Sequence, residues 1–213
     1  MLDTTSRVYD FLSDALSKGE IERGDYITEQ YLADNLGLSR TPVREALVEL
    51  SAENILEKIP RRGYRFRRYT KQDARDLYQL IGLLDGKVAE GTVDLMSEED
   101  LSLMSFLIDS MDSAVENGLY TKYNELQAQF HNIYIKKHPN PYLVADLKTK
   151  KSAFVGKTYE HVNSPKLKDL LLVSNDEHRQ ILKLFRAKDG SELRHYIEDV
   201  HWNGIYALYD NWK

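Results

Sequence analysis

Residues 28–66 read TEQYLADNLGLSRTPVREALVELSAENILEKIPRRGYRF, and this stretch decides the fold of the N-terminal third of the chain. Thr28 suits an N-cap, and Glu29 places a negative charge in the first helical turn, where the helix dipole favours it. Tyr31, Leu32 and Leu36 give a short apolar stripe that stops at Gly37. A second helix is expected with Thr41 as N-cap and Pro42 at the first helical position, where a missing N–H costs nothing. Val43, Ala46, Leu47 and Leu50 recur at helical spacing and face inward, which leaves Arg40 and Arg44 on the outer side of the helix start. Two short helices around a tight turn form a helix-turn-helix, whose second helix enters the major groove by its N-terminal residues.

A basic hairpin follows. Ile55, Leu56 and Ile59 make a first strand, Arg61-Arg62-Gly63 turns, and Tyr64 and Phe66 alternate with Arg65 and Arg67. From Arg61 to Lys71 there are six basic residues and no acidic one. Such a run on its own protects a strand edge from pairing with another chain. Placed directly after a helix-turn-helix it reads as a wing, whose tip meets phosphates or the minor groove.

Around this stretch the composition is that of a soluble globular protein. The chain has 213 residues, room for one large domain or two small ones, with 42% hydrophobic residues to fill a core. No apolar run approaches the roughly 20 residues that span a bilayer, and the start MLDTTSRVYD lacks the pattern of a signal peptide. With no cysteine there is neither a disulfide nor a thiolate metal site, and the cytoplasm is the expected compartment. The net charge of −5 is unevenly spread. Residues 40–69 carry eight basic and four acidic side chains, whereas residues 70–213 carry 18 basic and 22 acidic ones. A basic patch on an acidic protein suits a reader of particular sequences rather than a general nucleic-acid coat.

The expected architecture is mainly α, with a winged helix-turn-helix over residues 1–69 and an all-helical bundle of six or seven helices over residues 70–213. Residues 3–18 form a helix with Val8, Phe11, Leu12, Ala15 and Leu16 on its apolar face. The bundle opens with a long helix over residues 73–96, with Leu77, Leu80, Ile81, Leu84, Val88 and Leu95 inward. Ser97 and Asp100 open a second, closed at Gly118; a third runs from Thr121 to Lys137 and a fourth from Pro141 to Val162. A fifth spans Leu167–Ala187, and a sixth runs from Gly190 towards Trp212.

Of six histidines, three fall on inward stripes of different helices: His131 on the third, His178 on the fifth, and His201 on the sixth. His195 and Trp202 fall on the opposite face of that last helix. Two readings stand side by side. A buried histidine is usually a core residue held by hydrogen bonds, but three imidazoles converging in a bundle also suit a divalent ion with open positions. No carboxylate is read on an inward stripe beside these histidines, which weighs against a metal-dependent hydrolase.

The N-terminal part resembles the DNA-binding domain of the GntR family of bacterial transcription regulators, through the Thr28-Glu29 entry, the run Leu38-Ser39-Arg40-Thr41-Pro42-Val43-Arg44-Glu45-Ala46-Leu47, and Pro60-Arg61-Arg62-Gly63-Tyr64. The resemblance implies that Arg40 and Arg44 read base edges, Thr41 holds a phosphate, and Arg62 and Gly63 enter the minor groove. Gln30 departs from the basic residue many members have there. The second half resembles the effector domain of the FCD branch (the FadR-like subfamily), through Phe130-His131, Glu177-His178-Arg179 and His201. That implies a divalent ion, Zn or Ni, on His131, His178 and His201, and beside it an organic acid or other small metabolite as effector. Gln127 stands where the family has an aspartate ligand, and Ile81 where many members have an arginine that grips a carboxylate. Gln127 and Tyr134, with Tyr123 and Tyr206, are the expected pocket residues. The implied protein is not an enzyme but a homodimer, joined chiefly by residues 73–96, that binds an inverted-repeat operator and responds to its effector. A constitutive DNA binder whose helical part only dimerises is the remaining alternative.

Overall fold

The computed structural model describes residues 3–154 and 165–204. They form two compact units, one of residues 3–70 with 151–154, the other of residues 71–150 with 165–204.

The first unit contains helices α1 (Thr4–Ser17), α2 (Glu29–Leu36) and α3 (Arg40–Ala52), then strands β1 (Leu56–Ile59) and β2 (Gly63–Phe66). Val8, Leu12 and Ala15 of α1 pack with Leu32, Val43, Ala46, Leu47 and Leu50, and the strands close this core with Leu56 and Phe66. Thr28 caps α2 as expected, its hydroxyl accepting from the Tyr31 N–H at 3.1 Å. The start of α3 differs from expectation. Its N-cap is Ser39 rather than Thr41, and Pro42 is its third residue. A proline fits there because all of the first four N–H groups of a helix lack intrahelical partners. The strands pair antiparallel with Leu56 opposite Phe66 and Ile59 opposite Gly63, so Ile55 is buried just ahead of the ladder rather than in it. Gly63 has φ +108°, and a Cβ there would come within 2.4 Å of the Ile27 carbonyl oxygen. The close approach exists because Ile27 and Tyr64 exchange backbone hydrogen bonds of 2.6 and 2.8 Å, which tie the wing to the segment leading into α2.

The second unit contains α4 (Lys71–Thr92), α5 (Glu98–Glu116), α6 (Tyr120–Ile135), α7 (Pro141–Lys151, whose last residue groups with the first unit), α8 (Pro165–Ala187) and α9 (Gly190–Tyr196). No strand occurs in it among the described residues. Ser97 and Asp100 form a reciprocal capping box at α5, as read from the sequence. The expected helix over 152–162 continues only as a short 3₁₀ turn, Ser152–Phe154, and the rest of that expectation lies outside the described residues. So does the extension of the last helix beyond residue 204.

Two readings of the bundle are corrected. Helix α4 buries Tyr78, Ile81, Gly82, Asp85, Gly86, Val88 and Ala89, while Leu80 and Leu95 are 40% and 48% exposed. Two glycines interrupt its inward face because α9 and the turn after it approach closely: a Cβ on Gly86 would meet the Glu198 side chain at 2.8 Å and the Arg194 carbonyl oxygen at 3.0 Å, and one on Gly82 would meet Trp202 at 3.0 Å. The expected straight α-helix after Gly190 gives way to a π-helical turn, Ile197–His201. The Trp202 N–H bonds to the Ile197 carbonyl five residues back, at 3.0 Å. The wider turn shifts the face, so His201 and Trp202 are both buried and Val200 is 39% exposed, whereas the sequence puts Trp202 on the outer face.

Candidate functional site

The first unit presents a basic, solvent-facing helix start. Arg40, Thr41 and Arg44 are exposed at the N-terminus of α3, opposite the buried Val43, Ala46 and Leu47. Both arginines face Glu29 on α2. The Arg44 guanidinium donates to the two Glu29 oxygens through Nε and Nη2, each at 2.8 Å, and Arg40 Nη2 reaches Oε2 at 3.4 Å. The Arg44 guanidinium holds the Glu29 carboxyl below its ordinary range, and the fork restricts the arginine to one orientation. At the wing tip Arg62 donates to the Tyr26 hydroxyl at 2.8 Å and lies over that ring, 5.2 Å from its centroid. Glu29 and Tyr26, the side chains that orient the exposed arginines, were not read as such from the sequence, since nothing in local periodicity links them.

The second unit brings His131 (α6), His178 (α8) and His201 (π turn) together, all buried. His131 Nε2 stands 3.3 Å from His178 Nε2 and 3.2 Å from His201 Nε2. Nitrogens bound to one ion at about 2.0–2.1 Å in tetrahedral geometry stand about 3.3–3.4 Å apart, so this spacing fits a shared metal.

The hydrogen bonds behind the rings orient the imidazoles. Asp85 on α4, fully buried, accepts from the Tyr134 hydroxyl at 2.7 Å and from the Trp202 indole N–H at 2.9 Å. Burial, and then the Asp85 charge, push the Tyr134 phenol well above its ordinary range, so it keeps the proton it donates. The Tyr134 oxygen lies 2.7 Å from His131 Nδ1 and, with its own proton given to Asp85, can only accept there. His131 Nδ1 is therefore placed to donate to that oxygen, and its Nε2 turns towards the centre. His201 is arranged likewise, with its Nδ1 facing Glu177 Oε2 at 3.0 Å and its Nε2 towards the centre. The two Nε2 atoms stand 3.2 Å apart, close enough to share a metal ion or a proton.

Tyr134 thus belongs to the hydrogen-bonded support of His131 rather than lining open space. Gln127 is half-buried one turn before His131, and Tyr123 is fully buried with its hydroxyl donating to the Leu171 carbonyl. Tyr206 lies outside the described residues. The expectation that no inward carboxylate accompanies the histidines is overturned by Asp85 and Glu177, both buried. Asp85 left a signal: it falls in register with Tyr78, Ile81, Val88 and Thr92 on the buried face of α4, where an acid is unusual. Both carboxylates sit on the Nδ1 side of their histidines, so the hydrolase reading gains no general base at the converging nitrogens.

A winged helix-turn-helix with an exposed basic helix start, in one chain with an all-helical sensor-type unit, defines a ligand-responsive transcription regulator. Residues 4–66 match the family described as bacterial regulatory proteins, gntR family, and residues 76–200 match the FCD domain; the chain belongs to the GntR family of bacterial transcription regulators, in its FCD branch. HTH-type transcriptional regulator McbR of Escherichia coli K12 is 23% identical over 212 residues, 98% of this chain and 94% of that protein. The solved structure of McbR covers 98% of both chains with a TM-score of 0.80, a likeness of fold. HTH-type transcriptional regulator YdhC of Bacillus subtilis 168 is 28% identical over 137 residues, 60% of this chain and 61% of YdhC. The gluconate operon transcriptional repressor of the same organism is 24% identical over 188 residues, 87% of this chain and 75% of that protein. No helix among the described residues is long and apolar enough to cross a membrane.

Proposed function

We propose that this regulator binds an inverted-repeat operator as a cytoplasmic homodimer, that residues 1–69 read the DNA, and that residues 70–213 hold a divalent ion and a small effector. Arg40 and Arg44 meet base edges in the major groove, Thr41 holds a phosphate, and Arg62 with Gly63 follows the minor groove. Dimerisation runs through α4, whose Leu80 and Leu83 are 40% and 47% exposed. The relatives with regulator names support a role without catalysis.

His131, His178 and His201 are the ligands. Bound there, a Zn or Ni ion would supply a Lewis-acidic centre with positions left open for an effector's oxygen atoms. The observation that carries this reading is the convergence of three buried imidazoles, with His131 Nε2 3.3 Å from His178 Nε2 and 3.2 Å from His201 Nε2. A proton shared between the rings is the rival reading. Metal analysis of untagged protein, repeated after incubation with zinc or nickel, separates the two. About one ion per chain, abolished in His178→Ala, supports the metal; no ion after incubation leaves the proton and refutes the metal centre.

A further inference from the structure

Resting on the reading of the three histidines as metal ligands, we infer that Asp85 and Glu177 supply from behind the imidazoles the negative charge that the ligand shell lacks, and that Asp85 is thereby a positioning residue for the ion. The ligand set is three imidazoles, and the half-buried residue one turn before His131 is an amide, Gln127. A divalent ion held by neutral groups alone in a buried site keeps its full charge, which low-polarity surroundings penalise heavily. Two carboxyl side chains also stand in this interior: Asp85 is fully buried and Glu177 is 5% exposed. One divalent ion and these two carboxylates sum to zero.

The route from each carboxylate to the ion is specific. Glu177 contacts His201 Nδ1 directly at 3.0 Å. Asp85 acts through the Tyr134 hydroxyl, which joins its Oδ1 to His131 Nδ1 by two contacts of 2.7 Å, while its Oδ2 stands 3.5 Å from the same nitrogen. An acceptor at Nδ1 raises the basicity of the far nitrogen and fixes the ring plane, so each carboxylate strengthens the bond its imidazole makes at Nε2. Asp85 also accepts from Trp202, the residue after His201, and so ties α4, α6 and the π turn into one frame around the centre.

The test is a zinc titration against a competing chromophoric chelator, with cobalt(II) absorption spectra as a second readout of the ligand field. Asp85→Asn keeps the shape and removes the charge; zinc affinity is expected to fall about 10- to 100-fold, and Glu177→Gln to do likewise. The deciding variant is Asp85→Asn combined with Gln127→Asp, which puts a carboxylate back one helical turn before His131, on its own face. Zinc affinity is expected to recover at least tenfold over Asp85→Asn alone, with a changed cobalt spectrum because an oxygen ligand has joined the shell. Circular dichroism and thermal melting confirm that each variant is folded. A parent that takes up neither zinc nor cobalt refutes the metal centre itself. A parent that binds zinc while Asp85→Asn binds it equally well refutes the present inference alone. Loss in a folded Asp85→Asn with no recovery in the double variant also overturns it, because Asp85 would then act through the hydrogen bonds it accepts from Tyr134 and Trp202 and not through its charge.

Discussion

At the scale of single residues, the proposed DNA chemistry rests on the exposed arginines and the support of the histidines on a buried acid. Arg44 projects from the start of α3 with its guanidinium gripped by Glu29. Replacing it by alanine removes a bidentate donor, so Arg44→Ala is expected to cost about 1–3 kcal/mol on a selected operator and to relax sequence preference. Glu29→Gln releases both Arg40 and Arg44 and removes one negative charge from the face. The pair is largely solvent-exposed on the arginine side, so protein stability should change by no more than about 1 kcal/mol. Affinity for non-operator DNA should rise, and the ratio of specific to non-specific binding should fall, as read by fluorescence anisotropy at fixed salt. In the other unit, Tyr134→Phe deletes one hydroxyl and leaves Asp85 Oδ2 3.5 Å from His131 Nδ1, close enough to form a direct bond after a small shift. Its loss of zinc affinity should therefore be smaller than that of Asp85→Asn in the same titration.

At the scale of elements, the wing and the α4–α9 packing are the two sensitive joints. Arg62 at the hairpin tip rests on Tyr26, which limits its motion before any DNA arrives. Arg62→Ala should weaken binding across all sequences and lower the slope of log affinity against log salt by about one unit. A slope equal to the parent's would place the wing away from the phosphates. On α4, Gly86 lets the Arg194 carbonyl and the Glu198 side chain approach to distances that exclude a methyl group. Gly86→Ala gains the helix propensity of alanine, worth about 1 kcal/mol. Overpacking costs about 1–3 kcal/mol, and the obstructing Arg194 carbonyl is backbone, so net destabilisation is expected by thermal unfolding. Because α9 leads into the turn that holds His201, zinc affinity should drop in the same variant.

At the scale of the whole molecule, one helix-turn-helix reads too few base pairs for a unique address, so two copies on a two-fold axis are expected. Leu80 and Leu83 are exposed leucines on α4, where a second copy would cover them. Sedimentation at micromolar concentration should give a dimer, and Leu80→Glu with Leu83→Glu should shift it towards monomer and weaken operator binding together. Monomeric parent protein, with and without DNA, would count against the symmetric model. Selection from random DNA should return an inverted repeat with half-sites one helical turn apart or a multiple of it.

The sequence by itself determined the order and type of the elements, because caps, glycine stops and apolar spacing are local signals. Thr28, the Ser97–Asp100 box and the stripe Val43, Ala46, Leu47, Leu50 all appear in the structure as they read in the chain. It also determined that His131, His178 and His201 point inward, since each falls in register with apolar neighbours on its own helix. Only the tertiary structure decided what stands behind those histidines. Asp85 lies 46 positions before His131, and hydropathy counts an acid as surface until the surrounding helices reveal donors that satisfy it. Only the fold, too, placed Trp202 inside, because one π-helical turn changes the facing of every residue after it, and no local propensity marks where a helix widens to meet its neighbour.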